Sequence, residues 1–317
     1  MEISGCVPPP SPTPAASVES AQESKVWLRE WCIIIGLLCA AFLPVLQWMY
    51  DRWSAPDSYT SHGFLVPIIS AYLIYTQRDA LLRAPRRPAI TGMLLLVFGL
   101  LIFAMSGLLR IYFTSGFALV ICLTGMLAYW GGWNWVRLLW FPLLFLTFML
   151  PLPEIAIARI NLLLKLLVTR AAVGALDVVG VPVVMEGAKL QLQNGDLVVG
   201  DVCSGLRSMS ALIALGVLYA YIYGRRSWFT RGALLSAVIP AALGANMLRI
   251  FLNVLFVHFF GKELLFRPLF NSSFTGVVDL HLLSGFLVFI VALLSLHLTL
   301  TAAEALSEKE SPKEAPQ

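Results

Sequence analysis

Ile90-Thr91-Gly92-Met93-Leu94-Leu95-Leu96-Val97-Phe98-Gly99-Leu100-Leu101-Ile102-Phe103-Ala104-Met105-Ser106-Gly107-Leu108-Leu109 contains no charged side chain. As a helix rising about 1.5 Å per residue it is roughly 30 Å long, the thickness of a bilayer's hydrocarbon core. A helix on the surface of a soluble protein keeps a charged face toward water, and this one has none to offer, so its solvent is lipid. A second apolar run, 111 to 130, follows after Arg110 alone. Working outward, comparable runs lie at about 27 to 50, 62 to 77, 136 to 150, 204 to 223, 232 to 258 and 277 to 300. The whole chain agrees with them: of 317 residues, 59% are hydrophobic and 13% charged, and the mean hydropathy is +0.82, too few charges to coat a water-soluble globule. The predicted fold is all-α, a polytopic membrane helical bundle of about eight transmembrane helices.

Three segments differ from these runs. Residues 1 to 25 are rich in Pro, Ser, Ala and Glu and bury too little apolar surface to fold, so they read as a disordered cytoplasmic tail. The run that follows has no small-residue cleavage site after it and reads as a retained helix rather than a signal peptide. Residues 154 to 179 are interrupted by Arg159, Asn161, Lys165, Arg170 and Asp177, which predicts an amphipathic helix at the membrane interface. Residues 181 to 201 alternate apolar and polar side chains around Asn194-Gly195-Asp196, which predicts a small extracytoplasmic β-hairpin. The transmembrane domain is expected over 26 to 303, with a flexible cytoplasmic tail over 304 to 317.

Basic residues set the orientation. Arg78, Arg83, Arg86 and Arg87 follow the second run, Arg137 the fourth, and Arg225, Arg226 and Arg231 the sixth. All fall on one side if the amino terminus is cytoplasmic. The loop around 51 to 61, the hairpin and the loop from 261 to 276 then face outward. The net charge of +4 comes mainly from these clusters, which fit cytoplasmic loops and the lipid bilayer as partner, with no nucleic-acid surface.

The chemistry-bearing residues collect at the outer side. Five cysteines show neither CxxC nor Cys/His ligand spacing, so no metal site, no cofactor and no disulfide framework is expected. Cys6 lies in the tail, and Cys32, Cys39 and Cys122 sit in apolar runs, where a thiol packs as a small hydrophobe. Cys203 differs. Asp201-Val202-Cys203-Ser204-Gly205-Leu206-Arg207-Ser208 stands where a polar segment enters an apolar helix at its outer end. Arg249, about 18 residues into an outward-running span, reaches the same depth, and His281 opens the last span at its outer end.

An intramembrane Arg is costly and faces the bundle or a watery cavity. Asn246 and Asn253 lie one turn to either side of Arg249 on the same helix face, whereas His258 points roughly the opposite way. Near such a cation a thiolate at Cys203 is favoured, His281 is able to hand a proton to a leaving amine, and Arg249 or backbone N–H groups beside Gly205 are able to hold an oxyanion. From the residues alone a second account stays open, in which Cys203 packs and His281 sits at the interface. Arg207 is a candidate for a substrate carboxylate or a lipid headgroup, or an ion-pair partner of Asp201. His62, in Ser61-His62-Gly63, is a candidate for a substrate entrance, while His297 lies too near the inner end to join Cys203.

Cys203-Ser204-Gly205-Leu206-Arg207-Ser208, Asn246-Met247-Leu248-Arg249, and His281 with Ser284-Gly285 resemble the three ordered motifs of the exosortase/archaeosortase family. Ser61-His62-Gly63-Phe64-Leu65-Val66-Pro67 and Pro151-Leu152-Pro153 resemble earlier landmarks of that family, and the likeness runs from about residue 40 to 300. One departure is Asp201-Val202, where the family often has Glu-Ala. The resemblance implies a membrane cysteine protease/transpeptidase of a bacterial inner membrane, with its active site facing the periplasm. Its substrates would be membrane proteins ending in a Pro-Glu-Pro-like sorting signal, an apolar helix and a basic tail, and the cleaved protein would pass to a surface acceptor. Carried over by motif, Cys203 is the nucleophile, Arg249 the essential cation and His281 the acid/base, with Arg207, Asn246 and His62 as candidate substrate-binding side chains. Two rival readings remain: a serine-type intramembrane protease using Ser204 with His281, and a non-catalytic membrane subunit of polysaccharide export.

Overall fold

The computed structural model describes residues 36–55, 58–192, 195–198, 206–224, 227–267, 270–272, 276–278 and 280–310. Met1–Trp48 and Met49–Gln317 form two compact units. In the first, residues 36–41 are helical, and after a turn at Phe42 helix α1 (Leu43–Ser54) begins.

In the second unit a 3-10 turn, Ser61–Phe64, leads into α2 (Leu65–Thr76) and the short α3 (Arg78–Arg83). The apolar stretch quoted above is α4 (Ile90–Leu109), paired with α5 (Tyr112–Gly131) as a tight helical hairpin. Arg110 turns the corner in the left-handed region at φ 57°. The Ile111 N–H donates to Ser106 O at 2.9 Å, and the Ser106 and Thr114 hydroxyls share a hydrogen bond of 2.6 Å. Small residues let the two backbones touch: a Cβ on Gly92 would lie 2.2 Å from Tyr129 N, and one on Gly125 2.5 Å from Leu96 N. In lipid, where apolar burial drives little association, such close backbone packing is what holds helix pairs together.

The next run is broken. Helix α6 (Trp133–Leu138) gives way to α7 (Trp140–Phe145) and a 3-10 turn, Leu146–Met149. Pro142 lies in the first turn of α7, where its missing N–H costs no helical hydrogen bond. Pro151 and Pro153 then hold the chain extended, and α8 (Glu154–Val178) leaves at 83° to the segment Trp140–Met149. The predicted amphipathic helix is therefore present. It exposes Arg159, Arg170 and Asp177, half-buries Lys165 and buries Asn161, Val168, Ala172 and Leu176.

A three-stranded antiparallel sheet, β1 (Val184–Glu186), β2 (Lys189–Gln191) and β3 (Leu197–Val198), follows. The predicted hairpin is β2 with β3, which pair antiparallel, Lys189 opposite Val198 and Leu190 opposite Leu197, on either side of Asn194-Gly195-Asp196, of which Asn194 lies outside the described residues. A second, tighter turn at Gly187-Ala188, with Gly187 at φ 62° and Glu186 facing Lys189, joins β1 to β2. The ammonium of Lys189 donates to Asp196 Oδ2 at 2.6 Å, and this hydrogen bond raises its pKa above the ordinary lysine value. The inner side of the sheet, through Leu190 and Leu197, packs with Val168, Ala172 and Leu176 of α8 onto Ile250, Val254 and Val257.

Those last residues belong to α10 (Trp228–Phe260), which follows α9 (Leu206–Tyr223). The Ser227 hydroxyl caps α10 by accepting from Phe229 N at 3.2 Å. The segment 261 to 276, expected as a loop, carries α11 (Lys262–Leu265) and the strand β4 (Phe270–Ser272), which pairs with β5 (Gly276–Val278) before α12 (Leu280–Glu310).

Four helices among the described residues are long and apolar enough to cross a membrane: Ile90–Leu109, Tyr112–Gly131, Trp228–Phe260 and Leu283–Ser307. A fifth is added if the bent pair Trp140–Met149 and Glu154–Val178 is one broken span, and Ser61–Thr76 and Met209–Tyr223 are shorter apolar helices. Of the eight expected spans, four or five reach full length among the described residues. Apolarity alone does not make a continuous 20-residue helix: the run 136 to 150 is divided at Leu139 and the run 62 to 77 starts in a 3-10 turn. The run 27 to 50 is described only from residue 36.

Candidate active site

Helices α9, α10 and α12 pack antiparallel in sequence, and their contacts form a regular ladder. At one end Ala220, Leu234 and Leu300 pack together, beside a 2.9 Å hydrogen bond between Tyr219 Oη and His297 Nδ1. One turn along, a Cβ on Gly216 would meet Val238 at 2.4 Å. The next rungs join Leu212 and Met209 of α9 to Ala242 and Ala245 of α10 and to Ala292 and Val288 of α12. From Leu234 to Ala245 is about three helical turns, and the steps from Ala220 to Met209 and from Leu300 to Val288 match it.

Arg249 occupies the rung above. It lies one turn beyond Ala245, on the face of α10 that packs into this ladder. Its Nη1 is 3.8 Å from the position a Cβ on Gly285 would take. A methyl group there would make ordinary van der Waals contact with the guanidinium, and a longer side chain directed at α10 would collide with it. The guanidinium-bearing residue is 5% exposed, Asn246 one turn below is 0% exposed and Asn253 one turn above is 5% exposed. The predicted polar face of α10 is therefore real and turned inward. A fork of guanidinium N–H donors flanked by two carboxamides, in a site of low dielectric, is suited to holding a carboxylate or a developing oxyanion.

The ladder's spacing puts Arg249 level with Leu206, the first described residue of α9 and itself buried, and with Gly285, one turn into α12 from His281. Arg207 stands half-buried in the first turn of α9, and its carbonyl accepts from Ser210 Oγ at 2.9 Å. Cys203 and Ser204 lie outside the described residues. His281 is in the first turn of α12, and its side chain too is outside them. His62 is half-buried in the 3-10 turn Ser61–Phe64, hydrogen-bonded to the backbone of Phe148. Next to it a Cβ on Gly63 would overlap the Trp53 indole, whose Nε1 donates to Met149 O at 2.9 Å. Among the described residues no group of three His, Cys, Asp or Glu side chains converges as a metal site.

Sequence reasoning missed a second feature. A cavity of about 520 Å³ opens where the chain at 58 to 60, the Pro151-Leu152 corner and the first three turns of α8 meet. Asn161 Nδ2 donates to Tyr59 Oη at 3.2 Å, and Ser210 Oγ of α9 donates to Tyr59 O at 2.7 Å. Arg52 and Glu154 form an ion pair at its edge. The available signal was Asn161, an uncharged amide on the buried side of an otherwise apolar face.

No curated protein and no solved structure matches the chain. A family model described as transmembrane exosortase matches residues 52–298, from α1 through most of α12. Together with the all-helical, multi-pass architecture, that match makes the chain a member of the transmembrane exosortase family, whose general function is that of a membrane transpeptidase.

Proposed function

We propose that the protein is a cysteine transpeptidase of a bacterial inner membrane, working at its periplasmic face on membrane proteins that carry a carboxy-terminal, Pro-Glu-Pro-like sorting signal. The observation that carries this reading is the burial of Arg249 between Asn246 and Asn253, 3.8 Å from the Cβ position of Gly285, level with the start of α9 and the first turns of α12. Chain connectivity supports it as well: a residue three positions before Leu206 has its Cα within about 11 Å of that of Leu206.

In the proposed reaction the Cys203 thiolate attacks the carbonyl carbon of the scissile peptide bond. Negative charge moves to the carbonyl oxygen, where the Arg249 guanidinium stabilises it. The tetrahedral intermediate collapses with cleavage of the C–N bond, and His281 supplies a proton to the departing amine. This leaves the substrate's acyl group on sulfur as a thioester and the released helical tail in the bilayer. An acceptor amine then attacks the thioester carbon, loses its proton to His281 and expels the thiolate, so the protein passes to a surface acceptor. Water in place of the amine gives hydrolysis. Arg207 and Asn246 are the residues proposed to hold the substrate beside this centre.

The test is processing of a tagged substrate in cells. Cys203→Ala is expected to abolish cleavage, Ser204→Ala to retain it, and hydroxylamine to release a hydroxamate of the substrate from the wild-type enzyme and Ser204→Ala but not from Cys203→Ala. Full processing by Cys203→Ala would falsify the reading, and loss with Ser204→Ala alone would move the nucleophile to the hydroxyl.

A further inference from the structure

At the far end of α10 from Arg249, another arginine meets a different environment. Arg231 stands in the first turn of α10, about five turns or 27 Å before Arg249. It is half-buried, and its Nε–H is buried without an acceptor. The guanidinium rests beside the exposed Trp228 indole, 5.1 Å from the ring centroid. Among the described residues no carboxylate pairs with it. In the turn that joins α9 to α10, Arg225 and Arg226 lie outside the described residues, and both are basic. The start of α10 is pressed against the end of α9, where a Cβ on Gly224 would lie 3.1 Å from Arg231 Cα.

Arg231 borders an apolar groove of about 200 Å³. Trp140 and Leu144 of α7, Val217 of α9 and Leu235 of α10 line it, and Trp140, Leu144 and Leu235 are exposed. One wall is held firmly. The Phe141 and Tyr221 rings stack with centroids 3.6 Å apart and planes 2° from parallel, and Gln77 Nε2 donates to Tyr221 Oη at 3.1 Å. Asp79, two residues beyond Gln77, is engaged by Arg78 at 3.6 Å, which leaves Arg231 as the cation of the groove.

The occupant follows from the surroundings of the groove and from its charge. Because α10 is long and apolar enough to cross a membrane, an exposed apolar groove along it meets lipid. A neighbouring helix, about 10 Å across, is too thick for a cavity of this volume, whereas a flexible acyl chain enters it. Indoles beside a guanidinium at the end of a span mark headgroup depth. There the unmet N–H, the cation and the positive end of the α10 dipole all favour an anion.

We propose that this groove binds one anionic phospholipid, with its phosphate on Arg231 and an acyl chain between α7, α9 and α10. The site lies at the opposite end of α10 from Arg249 and does not depend on the transpeptidase reading.

The experiment titrates the full chain, purified in detergent, with phosphatidylglycerol or with phosphatidylcholine, whose headgroup carries its own cation, and counts bound lipid by native mass spectrometry. Wild type is expected to hold one phosphatidylglycerol about tenfold more tightly than phosphatidylcholine, as one charge-assisted contact dictates. Arg231→Gln should erase that preference and Arg231→Lys should keep it. Leu144→Trp, which fills the groove and leaves the cation, should weaken both lipids. Arg83→Gln, which removes an exposed arginine of α3, should change nothing. An unchanged preference in Arg231→Gln overturns the proposal, and so does an equal loss in Arg83→Gln, which would assign the effect to summed surface charge. Wild-type affinity in Leu144→Trp overturns it whether or not Arg231→Gln folds. Displacement of the lipid by an equal concentration of glycerol 3-phosphate also overturns it, because a phosphate without chains would then suffice.

Discussion

Gly285 offers the sharpest test of the three-helix site, because one position separates room from collision. A Cβ there would lie 3.8 Å from Arg249 Nη1, an ordinary van der Waals separation. Gly285→Ala therefore adds a methyl group without moving the guanidinium, and within a helix it gains up to about 1 kcal/mol of propensity. Gly285→Leu continues two further carbon–carbon bonds of about 1.5 Å each. Rotamers that point toward α10 then close on the guanidinium well inside contact distance, and Arg249 must shift by roughly 1 Å or change rotamer. A displacement of that size in a reaction geometry costs about 100-fold in rate. The assay is the rate of tagged-substrate cleavage in a pulse-chase, beside the thermal unfolding of the purified protein in detergent. The expected result is a rate within about twofold of wild type for Gly285→Ala and a loss of about 100-fold for Gly285→Leu, with both variants folded. Wild-type cleavage by Gly285→Leu would refute the facing of Arg249 onto α12. Equal loss in both variants would show that the room at Gly285 serves something other than the guanidinium.

Two further outcomes probe the scaffold. Gly92→Ala places a methyl 2.2 Å from the Tyr129 backbone nitrogen. Backbone does not yield as a side chain does, so the α4–α5 hairpin should lose about 1–3 kcal/mol, read as a lowered unfolding temperature. An unchanged midpoint would mean that the two helices are not in backbone contact. Ser210→Ala removes the donor to Tyr59 O at 2.7 Å and should cost about 1 kcal/mol. The loss is read as a lowered unfolding temperature, and an unchanged midpoint would mean that Tyr59 is not held from α9.

Much of the site was legible before any coordinates, for physical reasons that differ by residue. Arg249 stood out because a guanidinium within an apolar run has to be buried among polar groups, and Asn246 and Asn253 at helical spacing named the face it would share. The structure buries all three. His297 lies about three turns along α12 from Gly285 and pairs with Tyr219, away from Arg249. The hairpin around Asn194-Gly195-Asp196 was legible because Asn-Gly is a strong local turn signal, and β2 and β3 pair across it; the additional strand joined through Gly187-Ala188 was not expected. Among the described residues fewer apolar runs form full-length helices than hydropathy windows suggest, because such windows register apolarity and ignore helix breaks. Beyond Asn161, the cavity beside Tyr59 had no local signal: Arg52 meets Glu154, and Asn161 meets Tyr59, each across about a hundred positions of chain.

The amino-acid sequence alone determined that the chain lives in lipid, that it is helical, that one sheet-forming segment interrupts the helices and that Arg249 shares a polar helix face with Asn246 and Asn253. Each of these follows from local quantities: transfer of side chains out of water and the period of the pattern. Only the tertiary structure decided that α9, α10 and α12 run in a common register, that Gly285 leaves room for Arg249, that the expected entrance residue His62 sits with Phe148 and Trp53, and that a charged cavity lies against Tyr59. Those depend on which small residues let which backbones approach. The matching of Gly216 to Val238 and of Gly92 to Tyr129 is a property of pairs of surfaces, and no single stretch of sequence contains it.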